Sequence, residues 1–275
     1  MPVIGTNTAA NSAVRYLNLN SSAESSSVAK LASGSRITKA SDDASGLAVG
    51  TKLQSDVAIL QQASTNAAHG SAVLQTADGG ASKIADILER MKSLSAQSLS
   101  GAVTDTERGY INAEYTQLIS EVDSIAAGTR FNGESLLDGT SDFATGVDFL
   151  LGTDAATDSL TVTINDIDST ALGLNATTVD TQTNADAAAT ALDTAINRVL
   201  TARANLGAQM SRFDYRGEML DTSIENLDAA QSVIMDTDIA AEQTKLTNSE
   251  VLTDASVAAL SHANEMAQRL KQLFQ

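Results

Sequence analysis

The sequence predicts a mainly α fold: long antiparallel helices forming a coiled-coil hairpin, with a small β-hairpin region in the middle of the chain. Three observations carry that expectation. Both ends bear apolar residues in the alternating four-and-three spacing of a coiled-coil seam. The only proline in 275 residues is Pro2, so only glycine is available to interrupt a helix. Hydrophobic residues make up 43%, yet aromatics are 3% and tryptophan is absent, so thin alanine-lined seams fit better than one thick core.

The two ends come first. Near the N-terminus Val3, Ala10, Val14, Leu17, Val28 and Leu31 follow the seam spacing, with Asn7, Ser21 and Glu24 as polar interruptions. At the C-terminus Leu252, Ala259, Ala263, Met266, Leu270 and Leu273 repeat it, broken only by Ser256 and widened by Val257, Leu260, Ala267 and Phe274. These stripes assign residues 1–42 and 236–275 to a terminal coiled-coil domain and predict a two-stranded seam between them. Such a seam offers little apolar area against the entropy of ordering both helices. The ends are therefore expected to be loose in an isolated chain and to order when copies pack together.

Between the ends lies a helical region, expected over 43–139 and 192–235, and an outer β-rich region over 140–191. Leu47, Leu53, Val57, Leu60, Val73, Ile84, Leu88, Met91 and Leu94 predict one very long helix from Asp43 to about Ser100, or two in line with Gly79-Gly80 as the weak point. Thr104 and Glu107 have capping-box spacing, and the helix they open is expected to end at Gly128. Phe131-Asn132-Gly133 reads as a turn, and Val147 to Leu151 as a short strand. Leu160, Val162 and Ile164, alternating with threonines, read as another. Helical period returns from about Asn184 to Met235, and a last helix starts near Asp238. Ser41, Asp42 and Asp43 are placed to cap the long helix and oppose its dipole.

Composition excludes several classes of function. A formal charge of −17 argues against nucleic acid as a partner, since neutralising phosphates needs clustered Lys and Arg. No Lys or Arg falls between Arg130 and Arg198 while acids are frequent there, which predicts a solvated outer face. There is no cysteine, and His69 and His262, the only histidines, lack an HExxH setting. Asp42 and Asp43 are adjacent, so their carboxylates diverge and make a poor metal pair. No catalytic residue, metal or cofactor is expected. No apolar run is long enough to span a membrane. The first charge is Arg15, so a basic region followed by an apolar one is missing, and export is expected by a route without a cleaved signal.

The stretch KLASGSRITKASDDASGLAVG, Lys30 to Gly50, resembles the N-terminal signature of bacterial flagellins. The resemblance continues through QQASTNAAHGSAVLQTADG, ILERMKSLSAQ and TRFNGESLLDG, and returns in ARANLGAQMSR, DTDIAAEQTKL and ALSHANEMAQRL. It implies a non-enzymatic subunit that polymerises into a swimming filament outside the cell. The terminal helices would line the filament channel, and Val14, Leu17, Val28, Leu31, Arg36, Leu252, Ala259, Ala263, Met266, Leu270 and Leu273 would pack subunits. Partners implied by the resemblance are copies of the chain itself, the flagellar cap, hook-filament junction proteins and an export chaperone. A junction protein, or a secreted adhesive or signalling module, is the alternative reading. Arg90, Leu94 and Glu114 match the positions by which some flagellins meet the vertebrate innate flagellin receptor. Ser and Thr residues of the outer stretch, among them Thr153, Ser169 and Thr177, are plausible sites of O-glycosylation.

Overall fold

The computed structural model describes residues 6–273, with side chains up to Arg269. Five helices, α1 (Thr8–Ser33), α2 (Ala44–Leu99), α3 (Asp105–Gly128), α4 (Gln182–Met235) and α5 (Ile239–Leu273), account for most of it. Two antiparallel pairs lie between α3 and α4: β1 (Arg130–Phe131) with β2 (Glu134–Ser135), and β3 (Val147–Leu150) with β4 (Ser159–Val162). The chain divides into two compact units, one made of the segments before Val57 and after Glu225, the other of Val57–Glu225.

The central unit is organised by an apolar register that α2 keeps without a break. Buried positions Ala63, Ala67, Gly70, Leu74, Ala77, Ala81, Ile84, Leu88, Met91, Ser95 and Ser98 alternate by four and three residues. On α4 Ala185, Ala188, Leu192, Ala195, Val199, Ala202 and Leu206 do the same. Both helices thus present one narrow stripe, which is why so much alanine and so few aromatics suffice. The third wall comes from α3, through Ile111, Tyr115, Ile119, Val122 and Ala126.

The expected weak point at Gly79-Gly80 is no break, and α2 runs through it. A Cβ on Gly80 would lie 2.3 Å from the Thr129 hydroxyl and 2.7 Å from Leu137. The glycine is there so that the segment after α3 can lie against the helix. The capping box at α3 is present: Thr104 accepts from the Glu107 amide, and the Glu107 carboxylate accepts from the Thr104 amide at 2.8 Å. Those bonds from Thr104 hold the Glu107 carboxyl below its ordinary range. In the first hairpin Asn132 (φ 51°) and Gly133 (φ 90°) both adopt the left-handed conformation that a tight two-residue turn demands.

The segment from Thr140 to Thr181 departs from the expected solvated face. Most of its acids are exposed, with Asp158 and Asp168 half-buried, but Leu151, Leu160, Val162, Ile164, Ile167, Leu172, Leu174 and Val179 are all buried. Side chains of α3 fasten the irregular part. Asp123 accepts from the amide and hydroxyl of Ser169 at 2.8 and 2.9 Å, and Asn112 accepts from the Val179 amide at 2.9 Å. Tyr115 shares a 2.9 Å hydroxyl contact with Thr177, and burial pushes its phenol above the ordinary range despite that bond. Ser169 is 1% exposed, so it offers no hydroxyl for glycosylation.

Arg108 closes the α2–α3 corner. It is buried, and its guanidinium donates to the carbonyls of Ser98 and Ser100 at 2.8 and 3.0 Å and to Asp105 at 2.8 Å. A cation over the last carbonyls of α2 satisfies acceptors that the helix leaves open.

Candidate assembly site

In the terminal unit α1 and α5 pack side by side and antiparallel. The less exposed stripe of α1 runs through Ala10, Ala13, Leu17, Asn20, Glu24, Ser27 and Leu31, and that of α5 through Glu242, Leu246, Ser249, Thr253, Ser256, Leu260 and Ala263. Each keeps the coiled-coil spacing, yet about half of the residues are polar. Hydrogen bonds cross the seam at four levels. Asn7 donates to the Ala263 carbonyl at 2.9 Å, Asn20 to Ser256 at 3.2 Å, Thr253 to Glu24 at 3.4 Å, and Ser27 to Glu242 at 2.7 Å. Glu242 also accepts from Lys245 at 2.9 Å. The bonds from Lys245 and Ser27 hold its buried carboxyl below the ordinary range, over the opposing effect of desolvation.

This is not the stripe expected from the largest apolar side chains. Of the residues assigned to packing, Leu17, Leu31 and Ala263 do lie in the seam. Val14 is 40% exposed, Val28 50%, Leu252 53% and Met266 61%, and Ala259 is exposed as well. Leu270 and Leu273 lie outside the residues whose side chains are described. The physical reason is that α5 carries two overlapping seams. The sequence of spacings through Leu252, Ser256, Ala259, Ala263 and Met266 is rotated slightly from that through Ser249, Thr253, Ser256, Leu260 and Ala263, and the chain's own α1 takes the second. Tyr16, Leu19, Val251 and Val257 add to the apolar surface left outside. Exposed large apolar residues at this density mark an interaction surface.

The joint beside this pair is tied by main-chain and side-chain bonds. Gly34 ends α1 in the left-handed conformation, its carbonyl accepts from the Thr237 amide, and the Arg36 amide donates to the Met235 carbonyl at 2.6 Å. Arg36 also donates from Nη2 to the Ile234 carbonyl at 2.7 Å, on the end of α4 within its own chain. Asp43 caps α2 by accepting from the Gly46 amide at 2.8 Å. Asp42 accepts from the amides of Thr38 and Lys39 and the Thr38 hydroxyl. Despite desolvation, these bonds and nearby Lys30 keep its carboxyl below the ordinary range. The two acids thus serve as loop and helix caps.

Of the three receptor-face residues, the structure brings two together on the surface. Arg90 donates through Nε and Nη2 to one oxygen of Glu114 at 2.9 and 2.7 Å. Leu94 is 2% exposed and belongs to the core between α2 and its neighbours. Four-residue spacing places Arg90 and Leu94 on adjacent turns, but Leu94 sits on the inward edge of that face. Ser95, next to it, donates to the Ala185 carbonyl at 2.7 Å. His69 is exposed, and exposed His262 stands 3.9 Å from Glu265. Among the described residues no three His, Asp or Glu side chains come together as metal ligands, and no helix is long and apolar enough to cross a membrane.

A terminal helix pair with a polar inner seam and apolar outer faces, joined to a separately packed helical unit, defines a self-assembling structural subunit. Residues 4–142 match the bacterial flagellin N-terminal helical region, and residues 189–274 match the bacterial flagellin C-terminal helical region. The chain is 36% identical over 284 residues to the flagellar filament 30.7 kDa core protein of Treponema maltophilum, covering 99% of both. It is 34% identical over 274 residues to a flagellin of Halalkalibacterium halodurans, again covering 99% of both. Among solved structures it resembles Bacillus cereus flagellin, with a TM-score of 0.51, 31% identity and coverage of 56% of this chain and 88% of that one. The chain belongs to the bacterial flagellin family, whose members are structural subunits of the extracellular flagellar filament.

Proposed function

We propose that this chain polymerises into the flagellar filament by packing the outer apolar faces of α1 and α5 against those of neighbouring copies, and that it does no chemistry. One observation carries the reading. Val14, Val28, Leu252 and Met266 stay exposed although both terminal helices already have a partner in their own chain. Burying them between copies removes apolar area from water at about 25 cal/mol per Å². Repeated on every subunit, such a heterologous contact continues without closing. Full-length similarity to filament proteins supports the role of filament subunit over that of a junction protein. Export by the flagellar route without a cleaved signal, a chaperone on the C-terminal helix, and assembly under a cap beyond junction proteins are supported by family membership alone.

The test is negative-stain electron microscopy of purified chain before and after short filament seeds are added. Long uniform filaments growing from the seeds are the expected outcome. Persistent monomers of intact mass would overturn the proposal.

A further inference from the structure

On α4 of the central unit, two flanks of opposite chemistry face solvent at the same level. One flank borders a groove of about 620 Å³ against α2. Its floor is built of small residues, Ala67, Ala68, Ala72 and Gly217, beside the edge of Phe213, with Ser71 and Gln75 among them, and its rim carries Asp214, Glu218 and Asp221. Phe213 is held there from below. Its ring lies on Gly70, where a Cβ would come within 2.5 Å, and meets Phe149 edge-on at 5.5 Å. Asp221 accepts from Ser64 at 3.3 Å, and none of the three rim acids has a cationic partner among the described residues.

The other flank bears Arg212, Tyr215, Arg216 and Met219, spaced three, one and three apart. Tyr215 is 74% exposed and Met219 46%. Among the described residues neither arginine has an ion-pair partner, in a chain of formal charge −17 where most of the other cations of α2 to α4 are paired. At 3.6 residues per turn the basic and acidic sets lie roughly 160° apart around α4.

We infer that the Arg212–Tyr215–Arg216–Met219 stripe of one copy docks into the acidic groove of the next copy, with Tyr215 and Met219 over the alanine floor and the two guanidiniums on the carboxylate rim. The inference rests on the filament reading and names a contact within it, separate from that of the terminal helices. Charge complementarity selects the occupant. An anionic polymer or surface would meet two arginines against a strongly acidic background, whereas a second copy offers three carboxylates around a groove floored by small residues. Because both halves sit on opposite flanks of one helix, the contact is heterologous and repeats from copy to copy without closing. Desolvated charge pairs of this kind give register and partner choice as well as affinity.

The experiment uses full-length chain and measures the critical concentration for seeded elongation. Arg212→Glu with Arg216→Glu, and separately Asp214→Arg with Glu218→Arg, should each raise it at least roughly tenfold. Arg212, Asp214 and Glu218 are exposed and Arg216 is half-buried, so monomer melting should stay close to the wild-type value. The chain carrying all four substitutions restores opposite charges across the contact and should return to within roughly threefold of wild type. Either double variant elongating like wild type would overturn the inference. So would a fourfold variant no better than the doubles, since the stripe would then meet some other partner. A wild-type chain that adds to no seed would overturn the filament reading and this contact with it.

Discussion

The seam of the terminal helix pair and the seam of the central unit use the same spacing with opposite content. In the central unit the inward positions of α2 and α4 are alanine and large aliphatics, with Ser95 and Ser98 donating to the carbonyls of Ala185 and Val179. In the terminal unit the inward positions include Asn20, Glu24, Ser27, Glu242, Ser249, Thr253 and Ser256, while Val28, Leu252 and Met266 look outward. The first arrangement completes a core within one chain. The second sets which helices pair and in what register, as polar seam residues do in coiled coils, and leaves apolar burial for neighbours. Stability and assembly are thereby divided between two parts of the molecule.

Substitutions can break that division or sharpen it. The largest effect is expected at Phe213, 1% exposed and lodged between Gly70 and Phe149. Phe213→Ala should cost about 3–5 kcal/mol of central-unit stability, read as a lower thermal midpoint of the monomer. Next come Leu252→Ser and Met266→Ser, which should leave monomer melting unchanged and raise the critical concentration for elongation. Loss of one buried side chain, about 1.5–3 kcal/mol, corresponds to a rise of roughly ten- to a hundredfold. A fall in monomer stability instead would show that these residues are already buried in the free chain.

A smaller effect belongs to Glu242. Its folded carboxyl titrates below the ordinary value of 4.5, so it favours the paired state above that value. The contribution is lost as pH falls from there through the lowered folded value. Ser27→Ala should weaken the terminal pair by about 1–2 kcal/mol at neutral pH, and Glu242→Gln should remove the part of its acid sensitivity that comes from this group. Amide hydrogen exchange of α1 and α5 at pH 7 and below 4 reads both. The smallest effect is expected at Arg90→Ala, because the Arg90–Glu114 pair is about half exposed on both sides and worth under about 1 kcal/mol. A larger loss in monomer melting would mean that the pair braces α2 against α3.

Local signals carried well from sequence to structure. The absence of internal proline, the capping box at Thr104 and the Asn132-Gly133 turn each act through neighbouring atoms, and α2, α3 and the first hairpin form where those residues lie. Choices that depend on what lies opposite were illegible. Gly79-Gly80 looks like a helix breaker until Thr129 and Leu137 are placed against it. Two overlapping stripes on α5 have the same spacing, and only α1's polar groups decide between them. Leu94 shares a spacing with Arg90 but not a surface. Arg108 gives no hint of burial in its own segment, because its acceptors are the carbonyls of Ser98 and Ser100.

The unbroken alternation along α2 from Leu60 to Ser98 also bears on how such a gene can change length. Deleting one residue there turns everything beyond it by about 100°, which moves Leu88 and Met91 out of the seam and brings Glu89 and Lys92 into their places. A loss or gain of about seven or about eleven residues would nearly restore the phase. The turn from Gly152 to Asp158, which joins β3 to β4, carries no such phase, and its residues Thr153 to Thr157 are exposed. Insertions and deletions between close relatives should therefore collect at that turn and spare the helices.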